Sequence, residues 1–140
     1  MTRKETGRCL CGKVQLQANN MSLHMGACHC DTCRKWGGGP YLEADCGSDV
    51  VFSGEEHITV FNSSEWAERG FCRHCGTHLF YRLKETQDHM VPVGLFDNDE
   101  GLTFTRQVFV NEKPSYYSFS NKTDNISGDE LFAQFAPSSD

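Results

Sequence analysis

Short β-type runs, not helical stripes, organise this chain. Lys13-Val14-Gln15-Leu16-Gln17-Ala18 alternates polar and apolar side chains, the period of a strand with one buried face, and Asn19-Asn20 predicts the turn after it. From Tyr41 onward β-type runs recur at Val50–Phe52, Ile58–Phe61, Leu79–Tyr81, Met90–Val93, Leu102–Phe104 and Gln107–Val110. Gly54-Glu55-Glu56 and Asp97–Gly101 separate some of them as turns. No long segment carries a 3.6-residue period, so the pattern predicts a mainly β domain. Pro92 cannot donate to a ladder and belongs at a sheet edge or a bulge. Gly37-Gly38-Gly39-Pro40 predicts a loop. One helix is predicted near the end, where Ser127-x-x-Glu130 has the form of a capping box and Leu131 and Phe135 fall on one face. The polar stretch from Asn121 to Asn125 predicts a loop before it.

Length and composition narrow the class. A chain of 140 residues is one domain, large enough for a real core. With 38% hydrophobic residues and no apolar run approaching the ~20 residues of a membrane span, no segment predicts a transmembrane helix. Met1 to Arg8 is polar and has no signal-peptide core, so the expectation is a cytoplasmic protein. A net charge of -6 argues against a nucleic-acid partner, which requires a basic stripe. Arg34-Lys35 is a local basic spot suited to a small anionic ligand.

Eight cysteines change the picture more than charge does. In a reducing compartment clustered thiols point to metal, and neighbours as close as Cys9 and Cys11, or Cys28 and Cys30, would close only strained disulfide rings. Zinc takes four ligands in a tetrahedron with Zn–S near 2.3 Å, which sets the sulfurs about 3.8 Å apart. Cys9 and Cys11, two apart on one face of a strand, and Cys72-x-x-Cys75-Gly76 in a tight turn together predict a closed structural site. Cys28, Cys30 and Cys33 supply three more thiols and no obvious fourth. Three protein ligands with one open position is the pattern of a catalytic zinc. Alternatives are His29 or Cys46 as the fourth ligand, or ligands shared with a pair. His24, His57, His74, His78 and His89 lack metal spacing, although His74 and His78 flank the second pair and are placed to hydrogen-bond its sulfurs.

Seven cysteines in this order, with Gly7-x-Cys9-x-Cys11-Gly12 at the start and Lys113-Pro114-x-Tyr116 near the end, resemble the family of glutathione-dependent formaldehyde-activating enzymes, which also includes centromere protein V. The resemblance runs from about Gly7 to Tyr117 and leaves 118–140 as an extension of the same domain. It implies a β-tent fold of short antiparallel strands with two zinc ions. Cys9, Cys11, Cys72 and Cys75 match the structural site and Cys28, Cys30 and Cys33 the catalytic one. It further implies a carbon–sulfur lyase acting on S-hydroxymethylglutathione, with a glutathione-like thiol as the substrate. Arg34 and Lys35 are then candidates to hold substrate carboxylates, and Trp36 and Trp66 to wall the pocket. His29, Asp31 and Glu43 are the residues considered as a general base. Two other functions stand against the enzyme: a zinc-stabilised binding module without catalysis, and a thiol redox sensor that forms a disulfide in the central cluster.

Overall fold

A computed structural model describes residues 1–135. It is mainly β: eleven strands and two α-helices occur among the described residues, with short 3-10 turns between them. The strands are β1 (Thr2–Arg8), β2 (Gln15–Ser22), β3 (His24–Cys28), β4 (Tyr41–Asp45), β5 (Val50–Ser53), β6 (Ile58–Asn62), β7 (Ala67–Cys72), β8 (His78–Leu83), β9 (His89–Pro92), β10 (Thr103–Val108) and β11 (Asp124–Ile126). The helices are α1 (Asp31–Gly37) and α2 (Gly128–Phe135). No helix among the described residues is long and apolar enough to cross a membrane.

The chain groups into two compact units, Met1–Met25 with Glu43–Thr103, and Gly26–Leu42 with Phe104–Asp140. In the first, β1, β2 and β5 form an antiparallel sheet in which β2 is central. Its alternation follows the sequence pattern, with Leu16 and Ala18 buried and Gln15 and Gln17 turned outward. The strand does not turn at Asn19-Asn20. The Asn19 side chain donates to Asp49 Oδ1 (2.9 Å) and its backbone N–H to the Asp49 carbonyl (3.1 Å), so the polar pair stays extended to Ser22. A second ladder of this unit runs β4-β9-β8-β7-β6, antiparallel throughout. Pro92 closes β9 opposite Glu43, at the end of an interior strand and not at a sheet edge, because an end position also spares the ladder a missing donor. Two apolar clusters fill the unit: Leu16, Ala18, Met21, Ala44, Cys46, Val91 and Phe96 in one, and Cys9, Val14, Cys72, Leu79 and Phe80 in the other.

The second unit holds the strand order β11-β10-β3 and both helices. The runs Leu102–Phe104 and Gln107–Val110 merge into β10, which pairs in parallel with β11, so the stretch expected as a loop after Asn121 contains a strand. The capping box forms as the sequence predicts: Glu130 Oε1 accepts from Ser127 N–H (2.9 Å) and Ser127 Oγ from Glu130 N–H (3.2 Å). Leu131 packs against the cluster of Cys28, Cys33 and Val108, while the Phe135 side chain lies outside the described residues. Helix α1 was not expected, and Gly37, read as loop, is its last residue. Gly38, at φ 87°, closes it by donating to the Arg34 carbonyl (2.7 Å).

Gly54 makes the tightest backbone approach in the first unit. It has φ of +85°, and a Cβ there would stand 2.1 Å from the Lys13 carbonyl oxygen. Gly54→Ala therefore combines left-handed strain with a clash against backbone that cannot rotate away. It should lower the unfolding free energy by about 2–4 kcal/mol in denaturant titration; a change below ~1 kcal/mol would show that this turn relaxes freely.

Candidate metal centres

All eight cysteines are free thiols, and seven of them gather into two clusters. Cys9, Cys11, Cys72 and Cys75 place their four sulfurs within 4.8 Å of one another. The Cys9–Cys11 and Cys11–Cys72 sulfur separations are 3.6 and 3.8 Å, close to the edge of a zinc tetrahedron. Cys9 and Cys11 do not achieve this on a strand. β1 ends at Arg8, and Gly12 N–H donates to the Cys9 carbonyl (3.1 Å) in a turn that Gly12 completes at φ 82°. On the other side Gly76, at φ 79°, returns its N–H to the Cys72 carbonyl (2.7 Å). Both pairs thus sit on glycine-closed knuckles, because a tight turn folds two nearby side chains toward one point.

The knuckles also prepare the sulfurs for negative charge. Val14 N–H donates to Cys9 Sγ (3.4 Å), and Thr77 Oγ1 lies 3.1 Å from Cys75 Sγ while it accepts from Leu10 N–H (3.1 Å). The Thr77 hydroxyl and amide pull the Cys75 thiol down to about 5. Burial works to raise Cys9, and Cys75 adds to that, but the Val14 amide and the Cys11 and Cys72 thiols carry it below the usual thiol range. Cys11 is pushed up to about 11, since desolvation and the three other thiols outweigh the Lys13 amide. Thr77 was not singled out in the sequence; a hydroxyl directly after Cys-x-x-Cys-Gly is the signal that marks it. His74 bonds to His57 (2.8 Å) and not to a sulfur.

The second cluster is Cys28, Cys30 and Cys33, whose sulfurs also lie within 4.8 Å of one another. Cys28 ends β3, and Cys30 is the N-cap of α1, its sulfur accepting from Cys33 N–H (3.3 Å). One turn of helix then carries Cys33 back beside Cys30. Cys28 and Cys33 are buried and Cys30 is half-buried. Hydrogen bonding to Cys30 and Cys33, then burial, drives the Cys28 thiol far above its ordinary range, so Cys28 holds its proton in the absence of metal. Among the described residues no fourth histidine, cysteine or carboxylate joins this group.

Neither alternative fourth ligand is in place. His29 is fully buried with both ring nitrogens engaged, Nδ1 with the Tyr117 hydroxyl (2.7 Å) and Nε2 with Gln107 Oε1 (2.8 Å). Those bonds also keep it from meeting a substrate as a base. Cys46 is buried in a core cluster of the first unit, its S–H donating to the Ala44 carbonyl (3.7 Å). Burial there pushes its thiol up to about 12, as for a packed apolar residue.

The proposed substrate contacts separate. Arg34 lies beside the three-cysteine cluster with Nε donating to the His29 carbonyl (2.9 Å) and Nη2 3.8 Å from Asp31 Oδ1. Lys35 is exposed and Trp36 half-buried on the same helix. Trp66, in the first unit, is 53% exposed on the turn before β7, where its carbonyl accepts from Lys84 N–H. Asp31 is exposed, its N–H bonded to Glu112 Oε1 (2.9 Å), and Glu43 lies on β4 opposite Pro92. Tyr117 and Gln107, missed in the sequence, stand 88 and 78 residues from His29. In the Lys113-Pro114-x-Tyr116 stretch Tyr116 is 75% exposed, whereas its neighbour Tyr117 reaches His29.

Three comparisons bear on this geometry. The chain is 35% identical over 126 residues, 89% of its length and 92% of the other's, to a Schizosaccharomyces pombe protein described as an uncharacterized lyase. The fold is similar to the crystal structure of a Rhodobacter sphaeroides protein, with a TM-score of 0.58 and 24% identity over 66% of this chain and 88% of that one. The sequence profile of the glutathione-dependent formaldehyde-activating enzymes matches residues 4–112, a span that contains all seven clustered cysteines. The chain belongs to the family of glutathione-dependent formaldehyde-activating enzymes.

Proposed function

We propose that this protein is a zinc-dependent carbon–sulfur lyase that acts on the adduct of a glutathione-like thiol with a small aldehyde, S-hydroxymethylglutathione being the reference substrate. The observation that carries the reading is the unequal ligand count: four sulfurs close one cluster, while the other offers three. The family and the lyase description of the yeast relative supply the reaction class. Both donor sets suit zinc, two ions per chain, with Cys9, Cys11, Cys72 and Cys75 structural and Cys28, Cys30 and Cys33 catalytic. Bound there, zinc would supply a coordination position that stabilises a substrate sulfur as thiolate.

In the cleavage direction the carbon–sulfur bond breaks, the electron pair stays on sulfur, and the hydroxyl proton leaves as formaldehyde forms. Cys28, Cys30 and Cys33 would hold zinc with three ligands, and the ion would supply a position for the departing thiolate. The Arg34 guanidinium, fixed through Nε, turns its remaining N–H groups toward a substrate carboxylate. Lys35 supplies a second cation, and Trp36 on the same helix is a proposed apolar contact.

Zinc analysis should give two metals per chain, and Cys30→Ser should keep one. In cobalt-substituted protein, glutathione should alter the absorption of the wild type and leave that of Cys30→Ser unchanged. The same variant should convert S-hydroxymethylglutathione at the enzyme-free rate when followed by proton NMR. A variant that retains both metals would sink the site assignment, and wild-type protein no faster than the enzyme-free control would sink the substrate.

Acid should separate the two centres. Acid releases zinc by protonating its thiolate ligands, and Cys28, raised far above the ordinary thiol range, takes a proton at higher pH than Cys75, which Thr77 holds down to about 5. As pH falls from about 8 to about 4, zinc release should occur in two steps, the three-cysteine site first, read with a chromophoric chelator. Release of the four-cysteine metal first would contradict the assignment.

A further inference from the structure

We infer that His29 is a positioning residue for the Cys28, Cys30 and Cys33 cluster, acting through Tyr117 and Gln107 rather than by touching metal or substrate. The inference rests on the reading of those three cysteines as a metal site.

His29 lies between two of the three thiols, and each of its polar groups is bonded. Its N–H donates to the Val108 carbonyl (3.1 Å), and its own carbonyl accepts from Arg34 Nε (2.9 Å). The ring bonds Tyr117 on one side and Gln107 on the other. Hydrogen positions along this network follow from its far end. The Thr123 hydroxyl donates to Asn125 Oδ1 (2.8 Å), so its oxygen accepts from Gln107 Nε2 (2.9 Å). That turns Gln107 Oε1, which can only accept, to the imidazole; Nε2 therefore carries the ring hydrogen, and Nδ1 is left with a lone pair. Tyr117 must then donate. Four side-chain bonds run in one direction, from Tyr117 through His29, Gln107 and Thr123 to Asn125, and bonds aligned this way polarise one another.

Each anchor is itself held. Tyr117 sits on a loop wrapped around the Lys113 ammonium, which donates to the carbonyls of Pro114 (3.1 Å) and Tyr117 and to Ser118 Oγ (3.0 Å). Gln107 lies on β10, in the sheet order beside β3, the strand that ends in Cys28. The ring is thus pinned between a strand and a braced loop, and it fixes the peptides on either side of it. Those peptides carry Cys28 and Cys30, and the Cys30 sulfur sets the start of α1 and hence the place of Cys33. Freeing the ring lets the first two sulfurs rotate apart without removing any ligand.

A buried histidine that merely fills the core would make the same contacts, so the test must read the metal site itself. Tyr117→Phe keeps the ring and removes one hydrogen bond. In zinc-competition titrations it should weaken the three-cysteine site about 10–100-fold, shift the cobalt d–d bands of that site, and leave the four-cysteine site and the far-UV dichroism of the wild type unchanged. Thr123→Val, which frees the Gln107 amide but leaves both ring bonds available, should move the same site in the same direction by less. Wild-type affinity and cobalt spectrum in Tyr117→Phe would overturn the inference, as would equal weakening of both sites, which marks general loosening. If wild-type protein binds one metal only, the metal reading fails, and the positioning role with it.

Discussion

Sulfur atoms that share one metal must stand about 3.8 Å apart before the metal arrives, and unbound thiolates at that distance repel. The fold meets this constraint with backbone, not with long side chains, because cysteine has one rotatable bond between Cα and sulfur. Three of the local devices are turns or caps a few residues long: the Cys9–Gly12 turn, the Cys72–Gly76 turn, and the start of α1 at Cys30. Only the meeting of the two knuckles and the arrival of Cys28 at the end of β3 require tertiary structure.

The two clusters answer the charge problem in opposite ways. Around the four-cysteine group, the Val14 amide and the Thr77 hydroxyl donate to sulfur and help to lower Cys9 and Cys75, so metal meets two ligands already disposed to ionise, although Cys11 is pushed up to about 11. In the Cys28 group the Cys33 amide donates to the Cys30 sulfur, while hydrogen bonding to Cys30 and Cys33, and then burial, keeps Cys28 protonated until metal displaces the proton. A centre assembled that way is held less tightly and depends more on the exact placing of its backbone. The His29 network is where that placing resides.

The cysteine plan was legible because ligation fixes residue type and spacing within a few positions, and seven such positions leave little freedom. The strands with a one-sided apolar pattern were legible for the same local reason. What was not legible has particular causes. β1 exposes Thr2, Lys4, Thr6 and Arg8, and its one buried residue is a glycine, so no alternation shows. α1 has seven residues, ends in glycine, and is capped by a cysteine sulfur, which is outside the usual N-cap set. Asn19-Asn20 has turn composition, yet a partner 30 residues away keeps it extended. Tyr117 and Gln107 touch His29 only through the fold, and nothing near them in the sequence says so.

In the proposed function Arg34 would connect the charge of the centre to the substrate. Three thiolates around a divalent ion carry one net negative charge, and Arg34 is a cation anchored to the same helix and to the carbonyl of His29. A cation so placed offsets that charge in the resting site. It can also pair with a carboxylate that arrives with the thiol, but not with full strength for both at once. The long 3.8 Å contact to the exposed Asp31 is too weak to compete in water. The guanidinium is therefore held in orientation by a neutral carbonyl, which is what an anchor for an anionic thiol would require. Lysine at this position would keep the charge and lose the planar fork that lets one edge bind the backbone and would leave the other for the proposed substrate.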